Sequence, residues 1–241
     1  MKRKILAVWM ATLMIGLVGG VVTPVWAAEV TTAADVASAY VWRGITFNDG
    51  LVAQPSLDVS ANGFGVNVWG NLDIDDYDGT LEDGEFSEVD LTLSYGFALE
   101  SVDVIAGYIE YLFPEGPPGT REVFLSLSTS PGGGISVGVD GYYDFDEFDD
   151  YYADAYVGYS RDLADGFSMG VSALAGIMGE DASLGTDGGM HEYTLTADAG
   201  YSVSDAVDLS AFVAYTDSFD DDVLPEQDVD VYGGFGVACT F

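Results

Sequence analysis

Beyond residue 4 the chain contains no lysine. The sequence holds 6 basic residues against 41 acidic ones, and Lys2, Arg3 and Lys4 are half of the basic set. Arg43, Arg121 and Arg161 are the remainder. This deficit excludes nucleic acid as a partner, because phosphate contacts need clustered Lys and Arg. Cysteine is equally scarce. Cys239 stands alone, so there is no disulfide framework, and no cysteine near the N-terminus could carry a lipoprotein anchor. His191 is the only histidine, and no zinc, haem or nucleotide motif appears, so no cofactor and no defined metal site are expected. After residue 22 no apolar run is long enough for a membrane helix.

The first segment reads as an export signal. A basic start, Lys2-Arg3-Lys4, precedes an apolar stretch from Ile5 to Val22, and Val25-Trp26-Ala27 places small residues at the two recognition positions. Cleavage is expected after Ala27, with Ala28 as the alternative. Residues 1–27 are then a signal peptide and 28–241 one domain. Loss of three basic residues takes the net charge from −35 to −38. So acidic a chain would suggest disorder, yet mean hydropathy is +0.21 and aromatics make up 13%.

What the chain has in abundance is alternation. Val89-Asp90-Leu91-Thr92-Leu93-Ser94-Tyr95-Gly96-Phe97 and Tyr193-Thr194-Leu195-Thr196-Ala197-Asp198-Ala199-Gly200-Tyr201 interleave apolar residues with polar or tiny ones. A period of two puts each set on its own face of a strand. Strands of about 9–11 residues suffice to cross a tilted bilayer, whereas soluble strands average about 5–6. The spacing predicts about twelve strands, over 34–45, 54–62, 64–75, 86–98, 101–112, 120–130, 134–144, 151–162, 166–178, 191–203, 206–217 and 228–241. Short turns alternate with longer acidic links. That is the pattern of an outer-membrane barrel, with short periplasmic turns and longer extracellular loops. The fold class expected is all-β, a transmembrane antiparallel β-barrel whose first and last strands pair, with no plug large enough to assign.

The predicted lipid face includes Phe64, Val66, Val68, Leu72, Val102, Val104, Ala106, Tyr108, Phe167, Met169, Val171, Ala173, Val207, Leu209, Ala211, Val213 and Tyr215. Aromatic girdles are expected at strand ends, from Tyr95, Phe97, Tyr111, Phe113, Tyr142, Tyr143, Tyr151, Tyr159 and Tyr201. The opposite face carries Asp58, Asn67, Asn71, Asp73, Asp90, Asp103, Asp140, Asp154, Asp198, Asp208, Asp228 and Asp230. Burial of so many carboxylates in a dry interior would cost several kcal/mol each, so they are expected to meet water or cations in a lumen.

Arg43 is the one basic residue expected to point inward. It reads either as a constriction residue or as a structural ion pair with an aspartate on a neighbouring strand. Arg161, at the periplasmic end of a strand, reads as an interface anchor. Acidic links containing Asp73-Asp75-Asp76-Asp78, Asp144-Asp146-Glu147-Asp149-Asp150 and Asp217-Asp220-Asp221-Asp222 lack EF-hand spacing. They are expected to be solvated, with divalent cations loosely bridging them to lipopolysaccharide. His191 beside Glu192 has no adjacent serine, so no catalytic residues are assigned.

Two stretches carry resemblances. Gly236-Val237-Ala238-Cys239-Thr240-Phe241 resembles the terminal signal read by the barrel-assembly machinery. The likeness rests on Gly236 and Phe241 and departs at Cys239, where a larger residue is usual. Ser38-Ala39-Tyr40-Val41-Trp42-Arg43-Gly44-Ile45-Thr46, followed by Gln54-Pro55-Ser56-Leu57-Asp58 and Gly63-Phe64-Gly65-Val66-Asn67-Val68-Trp69-Gly70, resembles the opening of the TorF-type putative porin family. That likeness implies an outer-membrane porin and supplies no substrate. The reading is therefore an outer-membrane channel for passive diffusion of small solutes, cation-preferring through its acidic lumen and monomeric. The alternatives are a non-conducting structural or adhesive barrel and a secreted β-sandwich.

Overall fold

A computed structural model of the protein describes residues 28–75, 84–114, 116–164 and 166–241. The signal segment and its cleavage after Ala27 lie outside the described residues, as do Asp76 and Asp78 of the first acidic cluster. Twelve strands form a closed antiparallel barrel: β1 Glu29–Ala37, β4 Val52–Ala61, β5 Phe64–Asp73, β6 Phe86–Leu99, β7 Val102–Leu112, β8 Thr120–Gly132, β9 Ile135–Asp144, β10 Tyr151–Ala164, β11 Phe167–Met178, β12 Gly189–Ser202, β13 Val207–Ser218 and β14 Val231–Thr240. Two further strands, β2 Tyr40–Trp42 and β3 Ile45–Asn48, form a separate hairpin.

Each barrel strand pairs with its chain neighbour, except that β1 skips the hairpin to pair with β4. β1 and β14 close the seam from Thr31↔Thr240 to Ala37↔Gly234. The Phe241 amide continues it, donating to the Val30 carbonyl at 2.9 Å. Closure is obligatory, since hydrocarbon offers no water to satisfy an open sheet edge. The start of β1, the end of β14 and the short turns share one end. At the first of these turns Asn62 (φ 53°) and Gly63 (φ 86°) take the left-handed conformations that a two-residue hairpin turn requires.

Alternation translates directly into two surfaces. Phe64, Val66, Val68, Met169, Val171, Leu195, Leu209 and Val213 lie exposed on the outer wall. Val104 is outward in register but buried, in the row that pairs it with Phe97 and Leu127. Apolar area of this extent, open on a closed barrel, places the protein in an outer membrane. The girdle expectation holds for Tyr95, Phe97, Tyr143, Tyr151, Tyr159 and Tyr201, all exposed. It fails for Tyr111 and Tyr142, which sit one residue out of phase, face inward and are buried. Phe113, past the end of β7, packs against the same buried cluster.

The first and last strands differ most from expectation, the first running Glu29–Ala37 and not 34–45. The last strand begins at Val231, so Asp228 and Asp230 are exposed residues of the preceding link and not wall residues. Residues 38–51, at the long-loop end, fold back into the barrel and carry the β2–β3 hairpin, a plug too small to assign from the sequence. Tyr40 and Trp42 therefore face inner walls and not lipid. Tyr40 packs with Ala37 and Val52 near Trp69, Ala39 packs with Ala214 and Tyr232, and Trp42 packs against Tyr111. The hairpin turns at Arg43 (φ 50°) and Gly44 (φ 77°).

Two outcomes test this arrangement. Leu195→Arg, mid-strand on the lipid face, should destabilise the barrel by about 2–4 kcal/mol, read as a lowered denaturant midpoint in lipid vesicles. A Cβ at Gly44 would lie 2.7 Å from Glu192 Cβ and 3.0 Å from Leu224 Cδ2, at a φ that disfavours side chains. Gly44→Val should therefore expel the tip, exposing Trp42 and Trp69 to acrylamide quenching while the barrel stays folded. Unchanged quenching would show that the hairpin tolerates the branch in place.

Candidate functional site in the lumen

The lumen is divided by its own first loop. Asn48 anchors the base of the hairpin: its Nδ2 donates to Asp73 Oδ1 at 2.7 Å, and its Oδ1 accepts from the Gly50 amide at 2.6 Å. Asn71 Nδ2 donates to the same Asp73 oxygen at 2.9 Å and to Ser87 Oγ at 3.0 Å. Asp73 is thus a buried support for the loop and not a free wall carboxylate. Along the hairpin, Tyr40 donates to Glu88 Oε2 at 2.8 Å, and the Thr46 amide donates to Gln227 at 3.0 Å. The β6 wall and the last long link therefore hold one short segment.

At the tip, the Arg43 guanidinium meets Glu122 of β8 end-on, Nη1 to Oε1 at 2.7 Å and Nη2 to Oε2 at 2.8 Å. Tyr111 donates a further bond to Glu122 Oε2 at 2.8 Å. The guanidinium carbon lies 4.1 Å from the Trp42 ring centre, 4.5 Å from that of Tyr142 and 4.3 Å from that of Tyr152. Burial disfavours the Arg43 charge, but Glu122 together with Tyr111 and Tyr142 offsets it, and its pKa stands above the ordinary arginine value. The pair joins residues 79 apart in sequence. The expected partner was an aspartate on a neighbouring strand. The actual partner is a glutamate across the lumen, because Arg43 is on an inserted turn and not on the wall.

Around this pair the wall is acidic. Glu88, Asp90, Asp140, Asp154 and Glu192 are all buried, on β6, β9, β10 and β12. Asp140 and Asp154 are directly opposed across β9 and β10. Tyr152 donates to Glu192 Oε1 at 2.6 Å. His191 is fully buried beside Glu192, with its Nε2 4.0 Å from Glu192 Oε2. Sequence reasoning named Asp90, Asp140 and Asp154 but missed Glu88, Glu122 and Glu192. Glu122 was legible in principle, since it occupies an inward position of an alternating run, Arg121-Glu122-Val123-Phe124-Leu125.

Beneath the hairpin the lumen is open. A cavity of about 90 Å³ is roofed by Val41, Trp42, Arg43 and Gly44 and reaches Asp198 and Ser210. There it meets a second cavity of about 40 Å³, lined by Asp35, Ser202 and Asp208 near the short-turn end. Asp58 and Asp103 also lie on inward positions of β4 and β7, partly exposed, and Asp58 accepts from Asn67 Nδ2 at 2.9 Å. The other two arginines lie outside this space. Arg121 bonds Glu110 and Asp146, each at 3.1 Å, on the outer rim, and Arg161 is exposed near the short turns.

The acidic links use their carboxylates locally. Asp144 accepts from the Asp146 and Phe148 amides and from Thr120, and Asp150 accepts from the Asp181 and Ala182 amides. Among the described residues no group of three or more His, Cys, Asp or Glu is arranged to hold a metal ion. At the chain end, Gly236 faces Asp35, whose Oδ1 would lie 1.6 Å from any Cβ there, and Phe241 is exposed.

No protein-family model and no curated protein matches the chain. Its fold is nevertheless shared with solved porins. The KdgM porin is similar at a TM-score of 0.54 and 11% identity, over 88% of this chain and 99% of that one. The NanC porin is similar at 0.53 and 12%, over 88% and 98%. An outer membrane channel from Pseudomonas putida F1 is similar at 0.57 and 14%, over 91% and 97%. These likenesses, spanning nearly whole chains, are to proteins of the porin fold.

Proposed function

We propose that this protein is a porin-like channel for passive diffusion of small solutes, cation-preferring, with the first loop as its constriction. The observation that carries the proposal is the open, carboxylate-lined space between the hairpin and the short-turn end, in a barrel whose exterior is apolar. Asp35, Asp198 and Asp208 line this half, where inward carboxylates concentrate counter-ions and repel anions. Neutral and cationic solutes fit such a lumen. The KdgM porin has been solved in complex with oligogalacturonate; a polyanion of that kind would meet repulsion here. The resemblance of residues 38–70 to the TorF-type putative porin family supports the same reading. Lipid and lipopolysaccharide surround the barrel in this proposal, and the barrel-assembly machinery reads Gly236 and Phe241.

One observation favours the alternative of a non-conducting barrel: the hairpin packs on several walls at once, through Tyr40, Val41 and Trp42. Planar-bilayer recording separates the two readings. Unitary steps with a reversal potential on the cation side support the channel, whereas a folded, silent barrel supports the plug. For a channel, Asp198→Asn with Asp208→Asn should move the reversal potential towards zero without loss of folding. An unchanged potential would remove these carboxylates from the selectivity mechanism.

A further inference from the structure

The Arg43 environment has the chemistry of a ligand site. Its two terminal nitrogens are each paired with one oxygen of Glu122, at 2.7 and 2.8 Å, and the planar group lies against three aromatic rings at 4.1–4.5 Å. Fork geometry and flat stacking suit a guanidinium far better than a compact ammonium. Most of this shell belongs to the barrel wall. Glu122, Tyr111, Tyr142 and Tyr152 come from β8, β7, β9 and β10, and only Trp42 comes from the hairpin itself. Arg43 Nε has no hydrogen-bond partner. The wall therefore reads the head of the group and leaves the nitrogen that carries the alkyl chain unconstrained.

The surroundings demand a cation there. Asp154 is buried two residues from Tyr152 on the same inward face, with both carboxylate oxygens lacking hydrogen-bond partners, and it opposes Asp140 across the strand pair. Without Arg43, Glu122 becomes a buried charge with no counter-charge, a strongly unfavourable state. Meanwhile the cavity below reaches Trp42, Arg43 and Tyr152, so a solute in the lumen reaches the edge of this corner, which Arg43 itself occupies.

We propose that the wall corner formed by Glu122, Tyr111, Tyr142 and Tyr152 is a binding site for alkylguanidinium cations, which Arg43 fills as a tethered ligand. The hairpin is then a plug held by mimicry of the solute, and a free alkylguanidinium competes with the plug for its seat. Passage of such a solute rests on the channel reading above; occupancy of the corner does not.

The test uses full-length mature barrel refolded in detergent, with methylguanidinium chloride at millimolar concentration as the probe and equal sodium chloride as the control. Arg43→Ala should show a lowered midpoint in heat-modifiable gel migration, and methylguanidinium should raise that midpoint by several degrees. The wild-type barrel, its site filled, should respond less. In the double variant Arg43→Gln with Glu122→Gln, which removes the stranded charge, the response should vanish, with affinity down on the order of tenfold or more. If Arg43→Ala fails to refold in sodium chloride, recovery of folding in methylguanidinium supports the site. Failure in both salts while the double variant folds overturns it. So does an equal shift in Arg43→Ala and in the double variant, or no shift in either. Because folding is the readout, a barrel silent in bilayers that still responds to methylguanidinium defeats the channel reading and leaves the site standing.

Discussion

A sheet immersed in hydrocarbon must have no edge, and every other feature of this protein follows from meeting that demand. Closure through β1 and β14 leaves each strand with one face in lipid and one in an enclosed space. The two faces then obey different solvents. Leu91, Leu93, Tyr95 and Phe97 lie outward on β6, while Glu88, Asp90, Thr92 and Ser94 lie inward and buried on the same strand. Because the side-chain period is two, a slip of one residue would exchange these sets. The composition that looks contradictory in bulk, acidic yet apolar on average, is two compositions interleaved.

The enclosed space is not uniform. Towards the short turns the inward residues are small or acidic, such as Asp35, Ser168, Asp198, Gly200 and Ser210, and the lumen stays open. Towards the long links, inward positions of the wall become large: Trp69, Ile109, Tyr111, Phe124, Tyr142 and Tyr152. Large inward residues in a barrel this size would leave little room for water. Here they provide an apolar bed on which the β2–β3 hairpin packs. The gradient in residue size along the barrel axis is therefore what allows one end to carry a plug and the other a vestibule.

Most of the barrel was legible in the sequence because alternation is a local signal that lipid enforces strongly. Strands β4 to β13 fall where the period-two pattern places them. The first strand was misplaced for a physical reason. β2 and β3 are strands themselves, so alternation runs through Tyr40-Val41-Trp42 without a break, and nothing in hydropathy separates a lipid-facing aromatic from one facing another wall. A signal was present in Arg43-Gly44, where the backbone turns left-handed, a conformation glycine accepts readily. Consecutive aromatics at Tyr142-Tyr143 and Tyr151-Tyr152 were a second signal, since one of each pair must point inward. The candidate site was less legible still. Arg43 was singled out because basic residues are so rare, but Glu122 lies 79 residues away and is brought to it only by folding a loop inward.

The rarity of positive charge gives Arg43 a weight that one arginine would not have elsewhere. Arg121 sits on the outer rim paired with Glu110 and Asp146, and Arg161 is exposed near the short turns. Among the described residues, Arg43 is therefore the one arginine or lysine inside the barrel. It pairs with the buried Glu122 and its charge also acts on Asp154 and Glu192. Exposed ion pairs of the Arg121 kind contribute roughly 0–1 kcal/mol and can be lost without consequence. A buried pair is different: either partner left alone is costly. The hairpin tip thus carries the lumen's principal counter-charge, and any movement of the loop changes the lumen's width and its electrostatic field together. In the channel proposed above, steric and electrostatic control of the lumen would reside in the same two residues, Arg43 and Gly44, one supplying the charge and the other the backbone turn that lets it reach Glu122.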